Sequence, residues 1–367
     1  MSSHQNTTSA GGRISSRKRE HVRVCLEEDV RHPVLSTGFE RLGIPYASLP
    51  ETDLADVDLS CSMLGKRLSM PFMILSMTGG ASLSRTINRN LAVAAQERGV
   101  ALGLGSMRVI LEDSSAADTF WVRDLCPDVP LWANLGAAQL NLGCGVEECE
   151  RLVAAVEADG LCLHVNALQE VAQPGGDTDW SGIAERIGTI AGELSVPVMV
   201  KEVGFGVDRA TAARLDSLPI WGVDVGGAGG TSWLEVEKRA WGREDLAAFD
   251  EFGTPTARSI AETRGECPDK FVLGSGGVRT GVDAVKALAL GADFAGAALP
   301  LLQPATQSAD AVYRWLDRFR EEMKVAAFCA GVQDTRTLKG LRLEIRDTPA
   351  GPAWHSPHPA VGGPGPG

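Results

Sequence analysis

Three groupings of side chains have the composition and spacing to do chemistry. Arg17-Lys18-Arg19, with His21, forms a compact cationic cluster near the N-terminus, and a further cation, Arg108, closes the run GSMR (105–108). Together they could clamp a diphosphate through charge-assisted hydrogen bonds. His164, Asn166, Gln169 and Glu170 crowd into HVNALQE (164–170). Glu170 suits Mg2+, which is commonly held by one or two carboxylates plus substrate phosphate. The third grouping is backbone: GGAGGT (226–231) and GSGGVR (274–279) expose N–H groups of the kind that cradle phosphate, as do helix N-termini.

The elements that must position these groups repeat along the chain. Short apolar or β-branched runs occur at PFMILS (71–76), VALGLG (100–105), PLWANL (130–135), GLCLHV (160–165), PVMVKE (197–202), IWGVDV (220–225), FVLGSG (271–276) and ADFAGA (292–297). The runs are continuous rather than alternating, as in parallel strands buried on both faces. Their spacing is mostly near 30 residues, one strand plus one crossover helix, and segments 85–98 and 280–290 carry helical periodicity. The longer gap from 225 to 271 should hold an extra helix or insertion.

Eight such units predict an α/β fold of the (β/α)8 TIM-barrel type. A doubly wound sheet is the alternative, but it needs a break in spacing where strand order reverses. Almost every chemically interesting residue falls at the end of a run or just after it, where such barrels carry their active sites. The loops after strands seven and eight are the usual phosphate corner, which makes FMN the expected ligand of GSGG. The dinucleotide fingerprint is not present in its required place, because no G-x-G-x-x-G opens a helix after the first strand.

The predicted organisation is a disordered tail (1–16), a segment capping the barrel mouth (17–69), the FMN-binding barrel (70–335) and a disordered Pro/Gly tail (349–367) that holds His355 and His358. Asp plus Glu number 47 against 35 Lys plus Arg, a formal charge of −12, which argues against a nucleic-acid partner. No apolar run is long enough to span a membrane, and the polar N-terminus does not resemble a secretory signal. The 8 cysteines form no C-x-x-C pair and read as reduced thiols, so a cytoplasmic location is expected.

The motifs resemble those of a known family. RKREH (17–21), MTGG (77–80), GSMR (105–108), ANLGAAQL (133–140), HVNALQE (164–170), VMVKEVGFG (198–206), DVGGAGGTSW (224–233), GTPTA (253–257) and GSGGVRTGVDAVKALALGAD (274–293) occur in the order seen in type 2, FMN-dependent isopentenyl-diphosphate isomerases. The resemblance spans about residues 13–335. HVNALQE and DVGGAGGTSW are its specific parts, whereas the strand repeat and GSGG are shared with other FMN barrels.

The resemblance implies interconversion of isopentenyl and dimethylallyl diphosphate with no net oxidation, using Mg2+ and FMN kept reduced by NADPH or NADH. It implies that Arg17, Lys18, Ser106 and Arg108 bind the diphosphate. His164 and Asn166 would line the substrate and flavin face, Gln169 would meet the reacting alkene and Glu170 would hold Mg2+. Met77, Thr78, Gly79, Ser106, Asn134, Lys201 and Thr231 would hold the flavin ring and ribityl chain. Gly276, Gly277, Val278, Ala297 and Ala298 would bind its phosphate. His164 and Gln169 are the expected catalytic side chains, and reduced FMN is the expected acid–base group. Trp233 and the N-terminal segment would exclude water, and a homo-oligomer is expected.

Met107 and Ala167 flank contact positions and bear on substrate fit, so a paralogue for a longer or rearranged isoprenoid diphosphate is one alternative. A barrel FMN oxidoreductase is another. A hydroxy-acid oxidase needs a histidine base after a late strand, and none occurs between His164 and His355. A non-catalytic flavin binder would need neither the Gln169-Glu170 pair nor the cationic N-terminus.

Overall fold

The eight apolar runs become eight parallel strands closed into a barrel in the computed structural model, which describes residues 10–80 and 82–346. The strands are Phe72–Ile74, Ala101–Gly103, Leu131–Gly136, Gly160–Val165, Val198–Glu202, Gly222–Asp224, Phe271–Ser275 and Phe294–Ala297. Each pairs with its neighbours in sequence, and the eighth closes on the first through Ala295–Phe72 and Ala297–Ile74. Sequential order around a closed sheet excludes the doubly wound alternative.

The continuous apolar character of the runs follows from this geometry. Phe72, Met73 and Ile74 are all buried, and Phe72 packs outward on Phe319 and Trp315 of the helix Ala309–Cys329, with ring centroids 4.6 and 5.8 Å away. At the N-terminal end, Trp132, Trp221, Phe271 and Phe294 form a chain of rings at 5.2, 4.3 and 5.3 Å. That plug closes the floor and leaves the opposite end for chemistry. Gly160 is required beside it, since a Cβ there would sit 2.5 Å from the Trp132 ring.

The gap between strands six and seven holds two helices, Trp233–Trp241 and Thr256–Glu266. Ser232 caps the first, accepting from Glu235 N at 3.3 Å. A Thr280–Asp283 capping box starts the helix Gly281–Ala289 directly after the glycine loop of strand seven.

The N-terminal helix is Ala10–Glu27, so it begins inside the segment expected to be a tail, of which residues 1–9 lie outside the described residues. The expected C-terminal tail, with His355 and His358, also lies outside them. Val24 and Val30 pack on Val236, and the chain then pairs with the loop after strand six through His32 N to Gly230 O and Ser232 N to Val30 O, both 2.9 Å. Of segment 17–69, the part up to Thr37, which packs on the loops of Gly229 and Gly277, sits at the mouth. The hairpin Cys61–Met63/Lys66–Leu68 lies at the other end, where Lys66 Nζ meets Asp159 at 2.8 Å ahead of strand four. A hairpin leading straight into the first strand must lie at that strand's N-terminal end. Leu42–Gly43 pairs with Glu344–Ile345, which joins the segment ahead of the barrel to the one that follows its last helices. All eight cysteines are free thiols, and among the described residues no helix is long and apolar enough to cross a membrane.

Candidate active site

The C-terminal strand ends and the N-terminal helix enclose a cavity that collects nearly every expected residue. Helical geometry sorts the cationic cluster. Residues about 100° apart around the axis cannot all face one side, so Arg17, Lys18 and His21 line the cavity while Arg19 turns to a separate surface depression with Glu20 and Arg23.

Lys18 Nζ donates to the Ser106 carbonyl oxygen at 2.6 Å and lies 5.3 Å from the Phe120 ring centroid. Burial, then the neighbouring Arg17 charge, lowers its amine to about 7. Across from it, Arg108 Nη1 donates to Asp177 Oδ2 at 2.8 Å, and Arg108 Nε lies 3.4 Å from Glu112 Oε1. Arg17, Lys18 and Arg108 thus put three cationic side chains on the wall of one cavity, the arrangement an anionic ligand needs.

At the next strand ends, Asn134 donates from Nδ2 to Ser76 Oγ at 2.8 Å, so its Oδ1 is the acceptor facing His164 Nδ1 at 2.7 Å. His164 therefore carries its proton on Nδ1 and leaves Nε2 as an acceptor. Burial, then Lys201 and Lys18, lowers its pKa to about 4, so the ring is neutral near pH 7. Lys201 Nζ lies 2.9 Å from fully buried Asp224 and donates to the Glu202 carbonyl oxygen at 3.0 Å. Asp224 accepts in turn from Ser275 Oγ. Glu202 itself turns away to accept from the amides of Gly204, Phe205 and Gly206 at 2.7, 2.5 and 2.9 Å. Burial pushes its carboxyl up to about 7 against those bonds.

HVNALQE builds the fourth wall. Asn166 Nδ2 donates to Gln169 Oε1 at 3.1 Å and to Glu170 Oε1 at 2.9 Å. Glu170 Oε2 accepts from Asp177 N at 2.8 Å and Gln173 Nε2 at 3.3 Å. Gln169 Nε2 donates to Glu237 Oε1 at 2.9 Å. Glu237 is wholly buried and also accepts from Trp241 Nε1 at 2.7 Å, with His21 Nε2 at 3.2 Å. Burial raises its pKa, but the bonds from His21, Gln169 and Trp241 outweigh that and leave it below the usual glutamate range. His21 also meets Trp233 edge to face at 5.4 Å.

Met77, Thr78, Thr231, Gly276, Gly277, Val278, Ala297 and Ala298 complete the lining as expected. Gly79 does not line the cavity. It lies beneath Phe120, whose ring a Cβ would meet at 1.8 Å, so packing alone requires glycine there. Gln173 lines the cavity, and Glu237 and Asp177 hold lining residues from behind it; motif reading missed all three. Their partners lie far off in sequence or across a turn, and only Glu237's place in the helix after DVGGAGGTSW could have hinted at it.

The cavity suits a phosphorylated ligand. Gly276 and Gly277 have φ of +100° and +70°, and the loop packs on its neighbour so closely that a Cβ on Gly276 would lie 2.1 Å from Gly227 O. Only glycines allow this paired platform at the phosphate corner. Asn166 Oδ1, in the cavity wall, is buried with no hydrogen-bond partner among the described residues, and so invites a donor from a ligand. Among the described residues no three His, Cys, Asp or Glu side chains converge on a metal position. A cation at Glu170 would therefore take its other ligands from water and substrate phosphate.

Comparison with known proteins agrees with this geometry. The family model described as FMN-dependent dehydrogenase matches residues 164–344. Over 335 residues the chain is 46 % identical to the isopentenyl-diphosphate delta-isomerase of Mycolicibacterium vanbaalenii, covering 91 % of this chain and 98 % of that protein. It is 44 % identical over 331 residues to the protein of that name from Deinococcus radiodurans, covering 90 % and 98 %. For that of Oceanobacillus iheyensis the figure is 43 % over 330 residues, covering 89 % and 95 %. Among solved structures, mandelate oxidase with (S)-2-phenylpropionate is similar at TM-score 0.62 and 18 % identity, covering 93 % of this chain and 100 % of that one. That last likeness concerns the barrel alone.

Proposed function

The chain belongs to the type 2, FMN-dependent isopentenyl-diphosphate delta-isomerase family, and from that premise we propose that it interconverts isopentenyl and dimethylallyl diphosphate. The observation that carries this reading is the meeting of Lys18 and Arg108 with the Gln169–Glu170 pair around one barrel mouth whose far corner is the paired glycine platform. A flavin binder or an α-hydroxy-acid oxidase has no use for that cationic wall on an N-terminal helix.

The reaction moves a double bond by adding a proton at one carbon and removing one from another. The positively charged substrate between those steps must meet neither water nor a nucleophile. Bound and reduced, FMN supplies the acid–base group and an electron-rich ring face, held by Met77, Thr78, Asn134, Lys201 and Thr231 and, at its phosphate, by the strand-seven and strand-eight loops. Lys201 Nζ is fixed beside the ring site by Asp224 at 2.9 Å. Arg17, Lys18 and Arg108 grip the diphosphate and fix the alkene's depth. Glu170 would hold Mg2+, which would neutralise diphosphate charge. Neutral His164 orients through Nε2 and is no proton donor, because its one N–H is committed to Asn134. Gln169, clamped between Asn166 and Glu237, presents a carboxamide that cannot capture the cation as a carboxylate would. Trp233 and the N-terminal helix close the space over it.

The family resemblance extends the reading to NADPH or NADH as reductant, a cytoplasmic location and a homo-oligomer. The test supplies the purified chain with isopentenyl diphosphate, FMN, Mg2+ and NADPH, then omits each in turn. Dimethylallyl diphosphate should form only in the complete mixture. Product formation without FMN would defeat the proposal, and full activity in a chelator would remove Mg2+ from it.

A further inference from the structure

We infer that Asp177 is a positioning residue that fixes the diphosphate clamp and the metal carboxylate relative to each other; this rests on the isomerase reading above. Asp177 lies in the loop between the helices Ala167–Ala172 and Ile183–Glu193. It joins three strand ends at once. Its Oδ2 accepts from Arg108 Nη1 at 2.8 Å and from Gln139 Nε2 at 2.9 Å. Its own backbone N–H donates to Glu170 Oε2 at 2.8 Å. Arg108, Gln139 and Glu170 follow strands two, three and four respectively, and all line the cavity.

The loop is built to reach this place. Gly175 takes φ of +67°, and Gly176 passes so close to Glu170 that a Cβ would lie 2.0 Å from its carbonyl oxygen. Asn141 Nδ2 pins the loop's far side through the carbonyls of Asp179 and Ser181 at 2.9 and 3.0 Å. Arg108 is thus held at Nη1 by Asp177 and at Nε by Glu112, while Nη2 has no partner among the described residues. A guanidinium braced on two edges presents its remaining N–H groups in a fixed direction at little entropic cost. Because the same loop braces Glu170, a shift in Asp177 moves the anion site and the metal site together.

The experiment measures inorganic diphosphate binding to the FMN-loaded chain by calorimetry, with and without Mg2+. Asp177→Ala frees Arg108 and Gln139 while keeping the backbone N–H to Glu170, and should weaken diphosphate binding about 10-fold, the scale of leaving a charged group without its hydrogen-bond partner. Asp177→Asn, which keeps an oxygen acceptor for Arg108 but not its charge, should lose less, though at least about 3-fold, and it decides the matter should the alanine variant fail to fold. Isopentenyl diphosphate KM should rise in step while kcat and flavin content stay near the parent's. Variants that bind diphosphate as tightly as the parent, or more tightly, would overturn the inference; tighter binding would make Asp177 merely a competing counter-ion. A parent chain that binds no diphosphate with Mg2+ would overturn the isomerase reading and this inference with it.

Discussion

Lys18 is the residue on which pH acts most directly. Its amine falls to about 7 from an ordinary 10.5, chiefly through burial. Between those values the folded chain binds fewer protons than the unfolded chain. Holding the charged amine therefore costs stability below pH 7, and the cost fades as pH rises through the window. A bound diphosphate restores the charge. Diphosphate binding at pH 8 should then take up protons, visible as a calorimetric heat that changes with the buffer's ionisation enthalpy. Lys18→Arg should abolish that uptake, since a guanidinium stays charged, and an unchanged uptake would place the titrating group elsewhere. Lys18→Met should raise Tm at pH 6 while weakening diphosphate binding. Glu237 makes the opposite case. Glu237→Ala leaves Gln169, Trp241 and His21 without a shared acceptor, which should cost about 1–3 kcal/mol or more in urea unfolding. A variant as stable as the parent would show that water replaces the carboxylate freely.

The strands were legible in the sequence because a parallel strand covered on both faces must be apolar throughout, and seven of the eight runs contain one whole while the third strand runs one residue past its run, to Gly136. Site residues at strand ends were legible for the same reason: finding a strand locates its end. What escaped are contacts made by one element upon another. Gln169 and Glu237 are 68 positions apart, and Arg108 and Asp177 are 69 apart. Gly79 packs beneath the Phe120 ring, and a glycine beside a ligand and a glycine beneath a ring look alike in sequence. Gly277 shows the same ambiguity in another form. Its Cβ would meet Thr37 Cγ2 at 2.4 Å and Gly230 Cα at 3.0 Å, so it serves loop-on-loop packing as well as ligand approach. Gly277→Leu should lower Tm and flavin content together. Loss of flavin at unchanged Tm would restrict its role to the ligand.

At the scale of the molecule, the barrel supplies rigid strand ends and a sealed floor, and the N-terminal helix turns an open mouth into an enclosed cavity. The same architecture serves proteins that oxidise hydroxy acids, so the barrel does not choose the reaction. On the proposed function the choice lies in what rings the mouth: cations that would grip a diphosphate, a carboxamide that would meet the alkene and a neutral histidine that would keep its proton. The central claim is therefore a double-bond shift without net oxidation. Proton NMR in D2O tests it most directly, following isopentenyl diphosphate with the anaerobic, FMN-reduced, Mg2+-loaded chain. Dimethylallyl diphosphate should accumulate to a reversible equilibrium with deuterium entering both isomers, and NADPH should be consumed only to reduce the flavin once. NADPH oxidation in step with product, or no conversion by a fully flavin-loaded chain, would contradict it.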